Sequence, residues 1–99
     1  MTEPTFDRDG YPTDETLTAI REWPWKDGDA LLAYLAQAWY YPDSAMMPED
    51  EGRVGFATGG WSGNESLIRA AMENRMWWTL HWWSSTRGGK YVFTKREQA

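Results

Sequence analysis

Residues 76–93 read MWWTLHWWSSTRGGKYVF, and the way this stretch folds decides the architecture of the chain. Aromatic and β-branched side chains suit a pleated surface, and a polar segment ending in glycines suits a chain reversal. Met76–Trp83 therefore reads as a strand, Ser84–Gly89 as the connecting turn and Tyr91-Val92-Phe93 as the returning strand. Successive residues of a strand point to opposite faces. Met76, Trp78, Leu80 and Trp82 would form one apolar face, with Trp77, Thr79, His81 and Trp83 on the other. The first face is expected to lie under helices. For the second, two readings stand: it is covered by the N-terminal arm or the first helix, or it is an open aromatic patch suited to a partner.

Upstream of this hairpin, Arg53–Thr58 (RVGFAT) reads as a strand with Val54 and Phe56 on one face. Gly59-Gly60-Trp61-Ser62-Gly63 then turns the chain. Ser62 and Glu65 have the spacing of a capping box, so a helix should run from there to about Asn74 with Leu67, Ile68, Ala71 and Met72 on its apolar side. Further upstream, Leu31, Tyr34, Leu35, Ala38 and Trp39 form the stripe of an amphipathic helix that Pro42 ends. Another helix should follow Pro12, with Thr13 as N-cap, Leu17, Ile20 and Trp23 inward, and Pro24 as its stop. Residues 41–52 read as an acidic loop. Residues 1–11 read as a loose or draped arm, and 12–99 as a single α+β domain. The order α-α-β-α-β-β predicts a three-stranded antiparallel sheet with helices packed mainly on one face.

Composition narrows the function. The 99 residues include eight tryptophans and no cysteine, which excludes a disulfide framework, a thiolate nucleophile and a cysteine zinc site. The formal charge is −5. It is uneven: residues 1–52 hold twelve Asp/Glu against three Lys/Arg, a balance of −9, and residues 53–99 hold three against seven, a balance of +4. An acidic chain is a poor generic nucleic-acid binder, because that task needs cations to displace counterions. The first-half acids fall in no regular array of the kind a DNA mimic would need. The sequence shows neither an apolar run long enough for a membrane span nor a leader, so a cytoplasmic location is expected. Asp43, Glu49, Asp50 and Glu51 match no calcium-loop spacing and read as a solvated loop, and no cofactor is expected.

The segment Gly59-Gly60-Trp61-Ser62-Gly63-Asn64-Glu65 is open to two readings. A glycine turn leading into a helix presents backbone N–H groups to an anion, and Trp61 is able to stack on a base or sugar. Alternatively the glycines only make the turn, Ser62 and Glu65 cap the helix, and Trp61 plugs the core. Glu65 opposes an anion. Ser62 begins a nucleophile-elbow pattern but meets Asn64 where glycine is required, and His81 is the sole imidazole. A lone histidine among tryptophans reads as structural. Arg87-Gly88-Gly89 reads as a tight turn, with Arg87 placed to reach an anion if the two glycine turns converge.

The run from Thr58 to Glu65 (TGGWSGNE), Asn74 with Trp77-Trp78, then Trp82, Ser84 and the RGGxYxF word over residues 87–93 resemble a group of small uncharacterised proteins encoded by bacteriophages and prophages. The resemblance covers mainly residues 54–93, with a weaker extension back to Pro12-Thr13. It implies expression inside an infected bacterium and action on a host or phage protein, by analogy with other small phage proteins. The expectation is a non-enzymatic interaction module using Trp61, Trp77 and Trp83 and its acidic half. The alternative is a binder of a nucleotide or other small anion through Gly59–Glu65, Arg87 and a tryptophan. The oligomeric state is left open.

Overall fold

A computed structural model describes residues 3–96. Helix α1 spans Asp14–Arg21, and the Thr13 side chain accepts a hydrogen bond from the Thr16 N–H at its start. Asp14 and Glu15 sit in the first turn, where the helix dipole favours acids. The arm is tied to this helix: the Thr5 N–H donates to the Thr16 hydroxyl (2.8 Å), and the Thr13 N–H donates to the Thr5 carbonyl (3.1 Å). Thr13 therefore serves two elements. Thr13→Ala should lower stability by about 1 kcal/mol, the usual worth of such a cap, read as a lower urea midpoint with an unchanged slope.

After a 3-10 turn at Trp25–Asp27, helix α2 runs over Gly28–Ala38, and the expected stripe of Leu31, Tyr34, Leu35 and Ala38, with Trp39 beyond it, is buried. Helix α3 spans Ser62–Glu73. Its start differs from the capping box that the spacing predicts. Trp61 occupies the N-cap position without a side-chain cap, and Ser62 is already the first helical residue. The Ser62 hydroxyl is turned to the Tyr11 hydroxyl instead, 2.9 Å away.

The largest correction concerns residues 76–83. They form not one strand but a helix, α4 over Arg75–His81, followed by a strand that begins at Trp82. Asn74 makes this break possible. Its backbone N–H closes α3 on the Ala70 and Ala71 carbonyls, while its side-chain oxygen accepts from the Trp77 N–H (3.4 Å) at the start of α4. Its amide nitrogen donates to the Ile20 and Trp23 carbonyls at 2.9 and 3.0 Å, fixing the junction against the end of α1. Trp77 and His81 are then one helical turn apart on the inner side, with rings stacked at 4.9 Å. Neither of the alternating faces expected of a strand exists. Trp77 is fully buried and its indole N–H donates to the Gly28 carbonyl at 2.9 Å. Sealing a tryptophan in this way stabilises by on the order of 4 kcal/mol.

The fold is α+β, and among the described residues its sheet has four antiparallel strands rather than three. In chain order they are β1 (Met47–Pro48), β2 (Val54–Ala57), β3 (Trp82–Thr86) and β4 (Lys90–Phe93), arranged β1-β2-β4-β3. The unexpected strand, β1, lies inside the acidic loop. It is short and carries Pro48, a residue confined to sheet edges because it has no N–H for a second neighbour. The element order is thus α-α-β-β-α-α-β-β. Val54 pairs with Phe93 and Phe56 with Tyr91, and these residues join the core that Ile20, Leu31, Leu35, Leu67 and Trp77 contribute from the four helices. Gly55 pairs with Val92 on the opposite face, where the Glu49–Lys90 ion pair (3.0 Å) lies across the glycine. That pair joins the acidic half of the chain to the basic half.

Candidate functional site

Where α2 ends, the chain separates its aromatic residues. Trp39 turns inward, its indole N–H donating to the Ala57 carbonyl at 2.9 Å. Tyr40 and Tyr41 stay at the surface, 50% and 44% exposed. Tyr41 has φ 34° and ψ 77°, a left-handed conformation that costs a bulky residue about 1–3 kcal/mol. Met46 and Glu51 in the following loop share that region of backbone space, but neither carries an aromatic ring. The strained tyrosine lays its ring on Gly59. A side chain at Gly59 would place its Cβ 2.7 Å from that ring, so the glycine serves this close approach as well as its own φ of 63°.

Gly59 belongs to the glycine turn, which is anchored from both sides by Thr58. The Thr58 N–H donates to the Gly89 carbonyl (3.0 Å), and the Thr58 carbonyl accepts from the Trp61 N–H (3.1 Å) and the Asn64 side-chain amide (3.2 Å). Asn64 is buried, and its side-chain oxygen accepts the Tyr40 N–H at 2.9 Å. One amide therefore joins the turn to the end of α2 and holds Tyr40 in place. Trp61, half-buried, stacks on Tyr40 with centroids 4.9 Å apart, and Tyr11 from the arm packs against it at 4.7 Å. Tyr41 meets Tyr40 edge-on at 4.8 Å. The result is a cluster of four rings in successive contact, Tyr41 with Tyr40, Tyr40 with Trp61 and Trp61 with Tyr11. Beside it opens a cleft of about 640 Å³ lined by Phe6 and Gly10 of the arm and by residues 37–42. That size falls within the range of ligand sites.

The residues singled out by sequence divide into four places. Gly59, Gly60, Trp61, Ser62, Gly63 and Asn64 gather beside the cleft. There Trp61 folds its indole over Gly63, whose missing Cβ makes room for it. Trp77 and His81 are core residues, 0% and 1% exposed. The His81 Nδ1–H donates to the Thr94 carbonyl (2.8 Å), with Asp29 3.8 Å away, while the Ser62 hydroxyl is bonded to the Tyr11 hydroxyl at 2.9 Å. Trp83, 55% exposed, sits at an irregularity of the β3–β4 register, and the Arg53 guanidinium lies 3.5 Å over its ring. Arg87 and Gly88 are exposed in the hairpin turn. The two glycine turns do adjoin, through Thr58 and Gly89, and Gly88 and Gly89 both have left-handed φ values of 99° and 91°.

Phe6, Tyr11, Gln37, Tyr40 and Tyr41 were not foreseen as site residues. A signal for two of them was present: adjacent tyrosines directly before Pro42, at the mouth of an otherwise acidic loop. Among the described residues, no group of three His, Asp or Glu side chains is arranged to hold a metal ion. Glu49 and Glu51 from that loop pair with Lys90 and Arg53. Among the described residues, no helix is long and apolar enough to cross a membrane. Compared with family models, curated proteins and solved structures, the chain matches none.

Proposed function

We propose that this protein is a non-enzymatic recognition module, and that the cleft beside Tyr40 and Tyr41 is its binding surface for another protein. One observation carries the reading. The fold sustains a left-handed tyrosine in order to keep two adjacent rings half exposed over an open cleft, while the neighbouring Trp39 is sent into the core. Backbone strain clusters at ligand clamps and switch regions, where the surrounding structure holds it in place. Aromatic rings fixed on both sides bind with little loss of freedom, which is why they dominate interface energetics. On the resemblance to phage and prophage proteins, the partner is a host or phage protein met in the cytoplasm of an infected bacterium.

The nucleotide or anion alternative has less support. The Trp61 indole already covers Gly63 in the first turn of α3, and Glu65 sits in that turn as a resident carboxylate.

Random-peptide display against the whole chain, with Tyr40→Ala as counter-selection, tests the proposal. Tyr40 is half exposed and packs on Trp61 and Tyr41, so this variant should still fold, with a melting temperature lowered by several degrees. Peptides that lose about tenfold or more in affinity on Tyr40→Ala are expected. Selected peptides indifferent to Tyr40→Ala, or a thermal shift produced by nucleotides and abolished by a Gly60→Val change, would remove the cleft from the function.

A further inference from the structure

The sheet has an open edge, made of residues that do not line the cleft. We infer that β3 is a second recognition surface, which pairs with an extended segment of a partner protein whose ends are acidic and so adds a fifth strand to the sheet.

The first support is the difference between the two edges. In the order β1-β2-β4-β3, β1 and β3 are the outer strands. β1 is blunted by its length of two residues and by Pro48. β3 has neither device: Trp82–Thr86 holds five residues with no proline and no charge, and four of the five are exposed. β4 takes the backbone groups on one side of β3, so alternate N–H and C=O groups are directed outward on the other. The bulge between Trp82 and Ser84 falls at one end and leaves Ser84, Ser85 and Thr86 in regular register with β4. Such a row of donors and acceptors is satisfied by an extended backbone.

The second is a pair of exposed rings held in place at that end. Trp82 stacks on Trp78 of α4, with centroids 6.1 Å apart and planes 15° apart, and its indole N–H donates to the Ser85 hydroxyl at 2.8 Å. Trp83 lies under the Arg53 guanidinium at 3.5 Å. Rings fixed in this way cover the apolar side chains of an added strand with little loss of freedom.

The third is charge, and it decides the occupant. From Arg75 to Arg96 the sequence has five Lys/Arg and no Asp/Glu. Lys90 already pairs with Glu49. Arg87 stands exposed in the turn beyond Thr86. Lys95, also exposed, follows the Thr94 N–H that closes on the His81 carbonyl at 2.7 Å, beyond the Trp82 end. The five residues between them span about 17 Å at roughly 3.4 Å each, so acids at both ends of a segment of that length each meet a cation. A second copy pairing antiparallel through the same strand would bring Arg87 of one copy to the Lys95 end of the other, like charge against like. Single-stranded nucleic acid would use the rings and the cations but leave the backbone edge unpaired.

The test is a titration of the full isotope-labelled chain with a synthetic peptide that has a short valine–threonine centre and glutamates at both ends. Two further forms carry N-methyl groups on one or the other set of alternate backbone nitrogens of the centre, and another has lysine for every glutamate. The expected result is movement of the backbone resonances of residues 82–86, with those of residues 37–41 unmoved and Tyr40→Ala without effect. Only one of the two methylated forms should bind, because an added strand turns one set of nitrogens to the sheet and the other to solvent. Trp83→Ala should weaken binding about tenfold. Arg87→Glu should weaken it about threefold or more at low salt, and the lysine form should not bind. Equal binding of both methylated forms, or binding of the lysine form, overturns the inference. So do the same shifts produced by oligothymidylate when the peptide produces none, shifts that grow with protein concentration alone, and silence with the glutamate peptide. The cleft stands or falls separately, on ligands that depend on Tyr40.

Discussion

Gly28→Ala, the addition of one methyl group, should destabilise the fold by about 3 kcal/mol, lowering the melting temperature by roughly 10–20 °C. Local propensity predicts the opposite sign. Gly28 opens α2 with φ −68° and ψ −37°, ordinary helical values, where alanine is favoured by up to about 1 kcal/mol. Sterics decide the outcome. The new Cβ would overlap Nε2 of the His81 imidazole and lie 2.8 Å from its Cε1. His81 has nowhere to move, being stacked on Trp77 at 4.9 Å and bonded through Nδ1 to the Thr94 carbonyl at 2.8 Å. Retreat of the helix instead would stretch the 2.9 Å bond from the Trp77 indole to the Gly28 carbonyl. The check is a double-mutant cycle by urea unfolding. In a His81→Ala background the obstacle is gone, and Gly28→Ala should then cost under about 1 kcal/mol. Equal costs in both backgrounds would mean that the imidazole does not fill that space.

The same contact shows why the middle of the chain was hard to read. From Met76 to Trp83 only Thr79 and His81 are polar, so a period of two and a period of 3.6 fit the run equally well. Aromatic propensity favoured the strand. The outcome was set instead by Asn74, whose side chain caps α4, and by the core position that accepts Trp77 and His81 one turn apart. Asparagine at a helix end is a signal for a second helix as much as for a stop. Where periodicity was unambiguous it was sufficient: the Thr13 cap, the stripe of α2, the Val54 and Phe56 face of β2 and the Arg87–Gly89 turn all lie where the pattern placed them. A strand of two residues such as β1 has no alternation to detect.

The cleft was half legible, for a different reason. Its glycine turn stood out because Gly59, Gly60 and Gly63 are costly residues that require an explanation. Part of that explanation was invisible in one dimension. Gly59 makes room for Tyr41 and Gly63 for Trp61, and both are contacts between side chain and backbone that composition does not encode. The arm's contribution, with Tyr11 against Trp61 and Ser62, spans some fifty positions of sequence. Of the eight tryptophans, Trp25, Trp82 and Trp83 are exposed, yet the rings that line the cleft from the end of α2 at the surface are those of Tyr40 and Tyr41.

Asn64→Asp, nearly isosteric, should also cost about 3 kcal/mol at neutral pH, and the loss should shrink in acid. The wild-type side chain is 1% exposed and does two jobs, donating to the Thr58 carbonyl at 3.2 Å and accepting the Tyr40 N–H at 2.9 Å. A carboxylate keeps the second bond. It sets an oxygen against the Thr58 carbonyl where a donor stood, and it buries a charge, each a penalty of kcal/mol size. Burial and the facing carbonyl both raise the pKa of the introduced group in the folded state above its unfolded value of about 3.9. The folded protein then binds the proton more tightly than the unfolded chain. Stability therefore rises as pH falls through the raised value, since a protonated carboxyl is again able to donate to Thr58. Urea midpoints of the variant and the wild type between about pH 7 and pH 4 should converge. Asn64→Ala removes both bonds without adding a titrating group, so its deficit should stay parallel to the wild type. A deficit for Asn64→Asp that does not change with pH would mean Asn64 is not the buried donor to the glycine turn. Since that amide also holds Tyr40, affinity for any cleft ligand should follow the same pH dependence, weak at neutrality and restored in acid, in the variant alone.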